Sequence, residues 1–312
     1  MSGLAPISDL APMTGWSENE ELSMKDKTRI SFEYFPPRDE SQLERFHRCF
    51  TTLASLEPVY ASITWGALGS DSQASLDLLA SLANISRVPL TAHLSCIGQT
   101  HAQLRVTLDR LEALGIRRIL ALRGDQKLAS EIDDHDHDDY MLRHASDLVS
   151  LIAEERPHID VSVAAYPEVH PESESATVDL HWLKYKLDCG AARAITQFFF
   201  EADSYLRFRD CAQSIGIDKP LIPGILPVHD IGGVQRFAVK CGACVPAAMA
   251  RRFEAVRDEE SRQALGIEEC LRLCRRLERE GVRDFHLYTL NRPALSRAVA
   301  SELTGSLNVA AA

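Results

Sequence analysis

RISFEYFPPRDE, residues 29–40, is the stretch on which the fold turns. Phe32 and Tyr34 alternate with Ser31, Glu33 and Phe35, the period-two pattern of a strand, so one strand face carries the Glu33 carboxylate. Pro36 and Pro37 then end the strand. An open doubly wound sheet that binds a nucleotide would place a glycine-rich phosphate loop at this first turn. None follows here, and neither G-x-G-x-x-G nor a Walker A loop occurs elsewhere in the chain.

Further along, seven more short runs rich in β-branched and aromatic residues stand between turn formers: YASITWG (60–66), PLTAHLSC (89–96), RRILALRG (117–124), DVSVAAYP (160–167), ARAITQFFF (192–200), PLIPGILPV (220–228) and DFHLYTLN (284–291). The segments between them have helical spacing. Leu142, Ala145, Leu148, Val149 and Ile152 share one face, as do Ile267, Leu271, Cys274 and Leu277. Strand–helix alternation implies parallel strands joined by helical crossovers. Eight repeats fit an α/β fold of the (β/α)8 TIM type, which typically takes about 250 residues. The barrel is expected over 29–304, with a loose polar tail at 1–28 and a short tail at 305–312.

Composition is that of a globular chain, 45% hydrophobic and 25% charged, and no apolar run reaches the roughly 20 residues of a membrane-spanning helix. The formal charge of −11 disfavours nucleic acid or an anionic membrane as partner, because phosphate neutralisation needs clustered Lys and Arg. The acidic N-terminal segment lacks the Arg-rich character of a transit peptide. Eight scattered cysteines without a secretory signal read as reduced thiols in a cytoplasmic protein.

In such barrels the active site lies at the carboxyl ends of the strands. Those ends carry Glu33, Thr64, His93, Arg123-Gly124-Asp125, Tyr166 with His170, Gln197 and Tyr288. One polar residue in an apolar strand is unremarkable, but this many at one end point to a site. Glu33 reads as a general acid or as half of a structural ion pair with a lumen cation such as Arg123, the two readings being evenly matched. Asp125 has a plain alternative as a helix cap or surface ion pair, and His93 as a satisfied core histidine.

Taken together, SFEYFPP, ITWGALGS, AHLSCIG, ILALRGD, VAAYPEVHPES, AITQFFFEADSYLRFRD, IPGILPV and DFHLYTLNR strongly resemble the methylenetetrahydrofolate reductase family in its short bacterial form, in order from about residue 29 to 300. The resemblance implies an FAD-containing barrel that reduces 5,10-methylenetetrahydrofolate to 5-methyltetrahydrofolate by ping-pong hydride transfer from NADH or NADPH, the short form favouring NADH. It implies catalytic roles for Glu33, as the acid that opens the folate's five-membered ring, and for Asp125, beside the flavin and pterin. Flavin contacts carry over to Thr64, Trp65, Ala67, His93, Arg123, Gly124, Asp125, Ala145, Tyr166, His170, Asp179 and Lys186. Substrate contacts carry over to Gln197, Phe237, Tyr288 and Arg292, and a homo-oligomer is implied. Four positions depart from the family pattern: Trp65 stands where Tyr is frequent, Trp182 and Tyr185 where Asn and Arg are frequent, and Gly233 where a substrate-contacting Gln is common. Same-family variants, flavin-free or with another substrate, and a non-catalytic folate-binding subunit are the alternatives. With only a short tail after residue 304, a C-terminal regulatory domain is not expected.

Two conspicuous motifs are given plainer readings. CGAC (241–244) lacks the second pair that a zinc site needs, and Cys270 and Cys274, one turn apart, are expected to pack in the core. The acidic run EIDDHDHDD (131–139) reads as a solvated loop near the site.

Overall fold

The computed structural model describes residues 27–65, 72–124 and 141–305. Ala67, Asp125 and the acidic run 131–139 lie outside the described residues. Eight strands follow one another around a closed barrel in chain order, every neighbouring pair parallel. They are β1 (Arg29–Tyr34), β2 (Ala61–Ile63), β3 (Leu90–Ser95), β4 (Arg118–Leu122), β5 (Asp160–Ala165), β6 (Arg193–Phe198), β7 (Leu221–Ile225) and β8 (Asp284–Tyr288). The helices among the described residues are α1 (Glu40–Ala54), α2 (Ser72–Ala83), α3 (His101–Ala113), α4 (Ala145–Glu155), α5 (Ala176–Asp188), α6 (Ala202–Ser214), α7 (Ile231–Cys241), α8 (Ala247–Ala255), α9 (Glu259–Arg279) and α10 (Pro293–Thr304). This is the (β/α)8 barrel expected from the alternation. The strands are shorter than the apolar runs that announced them, because the run ends bend into the loops of the barrel mouth. Three helices, not one, fill the connection from β7 to β8.

Local sequence sets the helix starts. Asp39 caps α1 by accepting from the Gln42 amide at 2.9 Å. Thr100 and Gln103 form a reciprocal capping box on α3. Ser175 and Asp258 cap α5 and α9. Period-two alternation then sorts the strand side chains. Phe32, Tyr34, Ile63, Leu94, Ile119, Val163 and Leu287 belong to one continuous buried cluster with helix residues such as Phe46, Leu53, Leu79, Leu108 and Ile152. Cys270 and Cys274 join that cluster, as their one-turn spacing suggested. Tyr34 packs its ring against Phe46 at 5.8 Å and Phe50 at 5.4 Å, anchoring β1 to α1. A smaller separate cluster of Tyr60, Leu120, Ile195 and Ile222 comes from the opposite strand faces, the barrel lumen. The rest of the lumen is polar: Ser31, Glu33, Ser62, Thr91, His93, Ser162 and His286 are all buried.

The seam between β8 and β1 closes the ring, pairing Glu33 with Tyr288 in register. Beyond it, Thr289 donates both its amide (3.2 Å) and its hydroxyl (2.6 Å) to the Glu33 carbonyl. The Asn291 side chain accepts from the Phe35 amide at 3.1 Å and donates to the Phe35 carbonyl at 2.8 Å. Asn291 sits at φ 54°, a left-handed conformation that Asn tolerates better than most residues. Asn291→Ala removes both hydrogen bonds and should lower unfolding stability by about 2 kcal/mol. A urea titration would show this as a lower midpoint at unchanged slope; an unchanged midpoint would mean that the clamp carries no stability.

Candidate active site

The lumen mouth is built around Glu33. Its side chain, only 9% exposed, lies between two buried imidazoles: His286 Nε2 at 3.4 Å and His93 Nε2 at 3.5 Å from the same carboxylate oxygen. Thus β1, β3 and β8 each contribute one of the three groups. The alternative partner for Glu33, Arg123, is engaged elsewhere, with Glu172 at 2.6 Å. Behind Glu33, the other ring nitrogen of His286 meets the Ser31 hydroxyl at 2.7 Å. Burial pushes the His93 pKa down to about 4 against the opposing pull of Glu33, so the ring is neutral at physiological pH.

His93 is not a satisfied core histidine. Its Nε2 makes no hydrogen bond, the 3.5 Å approach to Glu33 being an electrostatic contact without hydrogen-bond geometry. The hydroxyls of Ser62 and Thr64 are likewise buried without partners among the described residues. Such groups are costly unless something else satisfies them. Tyr288 closes the mouth on the β8 side, its hydroxyl donating to the Thr196 carbonyl at 2.7 Å. Burial, reinforced by Glu33, holds that phenol far above its usual pKa. Its ring fits because residue 224 is glycine: a Cβ there would lie 2.1 Å from the Thr196 carbonyl oxygen and 2.6 Å from the Tyr288 ring.

A second cluster lies on the β4–β5 side. The His170 ring stands edge-on to Tyr166 with centroids 4.5 Å apart, and its amide donates to Asp179 at 3.0 Å. Desolvation lowers the His170 pKa, while Asp179 and Glu172 oppose this and Arg123 and Lys186 add to it, so all four charged groups surround the ring. Lys186 reaches from α5 to the Ala164 carbonyl at 2.6 Å, and burial brings its pKa down to about 8. Gly124, at φ 97°, packs so tightly on β3 that a Cβ would fall 2.0 Å from Ser95 Oγ. Trp65 is half-buried against the main core, and Ala145 opens α4.

On the opposite side of the mouth an open crevice of about 510 Å³ runs between the loops after β1, β7 and β8. Phe35, Leu226, Phe237 and Leu290 supply its apolar wall, and Arg38, Arg45 and Arg292 its cations. Phe237 stacks on Phe198 at 5.5 Å, which in turn meets Tyr288 at 6.4 Å, linking crevice to lumen. Arg292 precedes α10 and contacts His229 at 2.8 Å. Gln197 sits half-buried at the irregularity in the β6–β7 register and accepts from the Phe198 amide. Gly233 also lines the crevice, with the Asp230 carboxylate packed 2.6 Å from where a Cβ would stand.

The sequence reading missed His286, Ser31, Thr289 and Gly224. His286 had the same signal as His93, a polar residue between apolar neighbours in DFHLY; Ser31 and Gly224 gained meaning only from partners far away in sequence. Among the described residues, no helix is long and apolar enough to cross a membrane.

Because His93 is neutral in the fold and basic when unfolded, its contribution to stability is fully present above its ordinary value near 6.5 and is lost as pH falls toward about 4. His93→Gln should therefore flatten the loss of stability between pH 6.5 and 4, by on the order of 3 kcal/mol across that window. Urea midpoints measured through the window test it; parallel acid limbs in both proteins would show that His93 is not the group responsible.

A family model for methylenetetrahydrofolate reductase matches residues 19–304. The chain is 41% identical over 287 residues to the 5,10-methylenetetrahydrofolate reductase of Pectobacterium carotovorum, covering 91% of this chain and 93% of that one. It is 40% identical to the Escherichia coli protein of the same name, covering 91% and 94% respectively. Among solved structures, a Clostridium thermocellum protein described as binding two copies of 5-methyl-5,6,7,8-tetrahydrofolic acid superposes with a TM-score of 0.63. The alignment covers 93% of this chain and 99% of that one, and at 13% identity it shows a shared fold.

Proposed function

The chain belongs to the methylenetetrahydrofolate reductase family, and from that premise we propose that it reduces 5,10-methylenetetrahydrofolate to 5-methyltetrahydrofolate with NAD(P)H through bound FAD. The observation that carries the reading is the Glu33 carboxyl, buried at the lumen mouth with a histidine on either side. Substrate, proton and hydride balance as methylenetetrahydrofolate plus NAD(P)H plus one proton, giving methyltetrahydrofolate and NAD(P)+. Glu33 supplies the proton.

The closed five-membered ring of the substrate is a poor hydride acceptor. Protonating one ring nitrogen lets the ring open to an electrophilic iminium, so the site needs an acid that is sheltered from water and held in place. The Ser31–His286 pair supports this role. With Glu33 protonated, its proton can be shared with His286 Nε2 while Nδ1–H donates to Ser31. Once Glu33 is ionised, the other tautomer lets Nε2–H donate to the carboxylate while the serine hydroxyl donates to Nδ1. By switching tautomer, the one imidazole can serve both protonation states of the acid.

The residues at the strand ends from β2 round to β5 fit a dinucleotide flavin. Buried Thr64 Oγ1 and His93 Nε2 lack partners among the described residues and can hydrogen-bond a ring system, while the glycine at 124 keeps the adjoining backbone bare. Arg123 and Lys186 suit a pyrophosphate and Asp179 a ribose hydroxyl. When bound, the flavin supplies the hydride relay between nicotinamide and folate. Asp125 is assigned by the family resemblance to the same region, where a carboxylate would hold the pterin's amino and amide donors. Gln197, able to donate and accept, suits two substrates that use one face in turn. The crevice lined by Phe237 and Arg292 suits the folate's aromatic and carboxylate-bearing portion. The cytoplasm is the proposed location, and a homo-oligomer the proposed assembly.

Glu33→Gln should still be reduced by the nicotinamide cofactor at near wild-type rate, yet lose at least about 1000-fold in methylenetetrahydrofolate reduction. Stopped-flow bleaching of the flavin absorbance separates the two half-reactions. Undiminished folate turnover by this variant would remove Glu33 from the mechanism, and a colourless but active wild-type preparation would remove the flavin.

A further inference from the structure

The outer face of α5 carries two large aromatic side chains that the fold itself leaves without cover. Trp182 is 47% exposed and Tyr185 53%, and their rings meet edge-to-face at 6.0 Å. His144, just before α4, lies over the Trp182 indole, with centroids 5.4 Å apart and planes inclined by 23°. The Asp147 carboxylate fixes that approach by accepting from the backbone amides of Arg143 and His144 at 3.0 and 2.9 Å. Exposed aromatic clusters of this kind mark binding surfaces more often than isolated surface residues do.

The position of the cluster on its helix identifies the occupant. At about 100° per residue, Asp179, Lys186, Trp182 and Tyr185 follow one another around an arc of roughly 120°. The stripe therefore passes from a half-buried carboxylate and a half-buried ammonium to open aromatic rings. Asp179 and Lys186 both act on His170, together with Arg123, so the polar end of the stripe adjoins the mouth of the barrel. A ribose hydroxyl, an anionic linker and a flat heteroaromatic ring, in that neighbourhood, describe the adenosine diphosphate half of a dinucleotide.

Resting on the flavin assignment above, we propose that Trp182, backed by His144 and flanked by Tyr185, is a stacking shelf for the adenine ring of FAD. This chain would hold that ring by its π-face, where the family pattern offers hydrogen-bonding Asn and Arg side chains. Stacking needs no fixed donor–acceptor pattern and tolerates a loss of polar contacts, and Lys186 with Arg123 supplies the charge that a phosphate-binding arginine at position 185 would have given.

Titration of the flavin-free protein tests the shelf by comparing FAD with FMN, which lacks the adenosine. The part of the tryptophan fluorescence that Trp182→Phe removes should be quenched by FAD and by ADP, and not by FMN. Trp182→Ala should weaken FAD binding about tenfold and leave FMN binding unchanged, while Trp182→Phe should retain most of the FAD affinity. Equal losses for FAD and FMN in Trp182→Ala, or no loss for either, would overturn the shelf. So would unchanged FAD affinity accompanied by a smaller sedimenting species, which would make the aromatic face a contact between copies of the chain. If the wild-type protein binds neither flavin, the cofactor assignment itself fails; if it binds FAD and ignores position 182, only the shelf does.

Discussion

The parallel pairing of β8 with β1 is the constraint from which the rest of the molecule follows. It joins residues about 250 positions apart and turns an open sheet into a ring. Closure removes both sheet edges and creates a lumen narrow enough to be filled by side chains. It also sets His286 against Glu33 and Ser31, contacts that neither strand could make alone. The seam is reinforced beyond the strands by Thr289 and Asn291, whose side chains bond the backbone of residues 33 and 35. Backbone closure and placement of the acid are therefore one structural event.

A lumen of this kind would ordinarily be filled with branched apolar residues. Here the apolar filling is confined to a small cluster around Leu120, Ile195 and Ile222, and much of the remainder is hydroxyl, imidazole and carboxyl. Burial alone would make that arrangement costly, and its groups are only partly matched to one another. His286 is paired on both nitrogens, whereas His93, Ser62 and Thr64 keep unmatched atoms. The asymmetry separates a carboxyl flanked by imidazoles from a set of groups without partners among the described residues.

Charge is distributed in the same spirit. The chain as a whole is acidic, at −11, yet the β4–β5 side of the mouth gathers Arg123 and Lys186, and the crevice on the other side gathers Arg38, Arg45 and Arg292. Lys186, brought to about 8 by burial against the opposing pull of Asp179, is held near its titration point. An anionic ligand at that position would favour the charged form and so bind more tightly to a lysine already stripped of water.

The order of the strands, the barrel class and many of the polar residues at the strand ends were legible in the sequence. Alternation and turn chemistry are local properties, written in consecutive residues such as RISFEYFPP and DFHLY. Family motifs added the reaction to be expected. What local pattern could not supply was pairing. Glu33 could have met Arg123 or stood alone; only the closed ring shows that it meets two histidines and that Arg123 turns to Glu172. Gly224 reads as an ordinary strand glycine until the Tyr288 ring is seen against it. Trp182 and Tyr185 read as departures until helix α5 places them in line with Asp179 and Lys186. Sequence determined which side chains stand at the mouth of the barrel, because each strand's pattern is set by its own neighbours. Tertiary structure decided which of them touch, because those distances depend on how eight separate strands close into one ring.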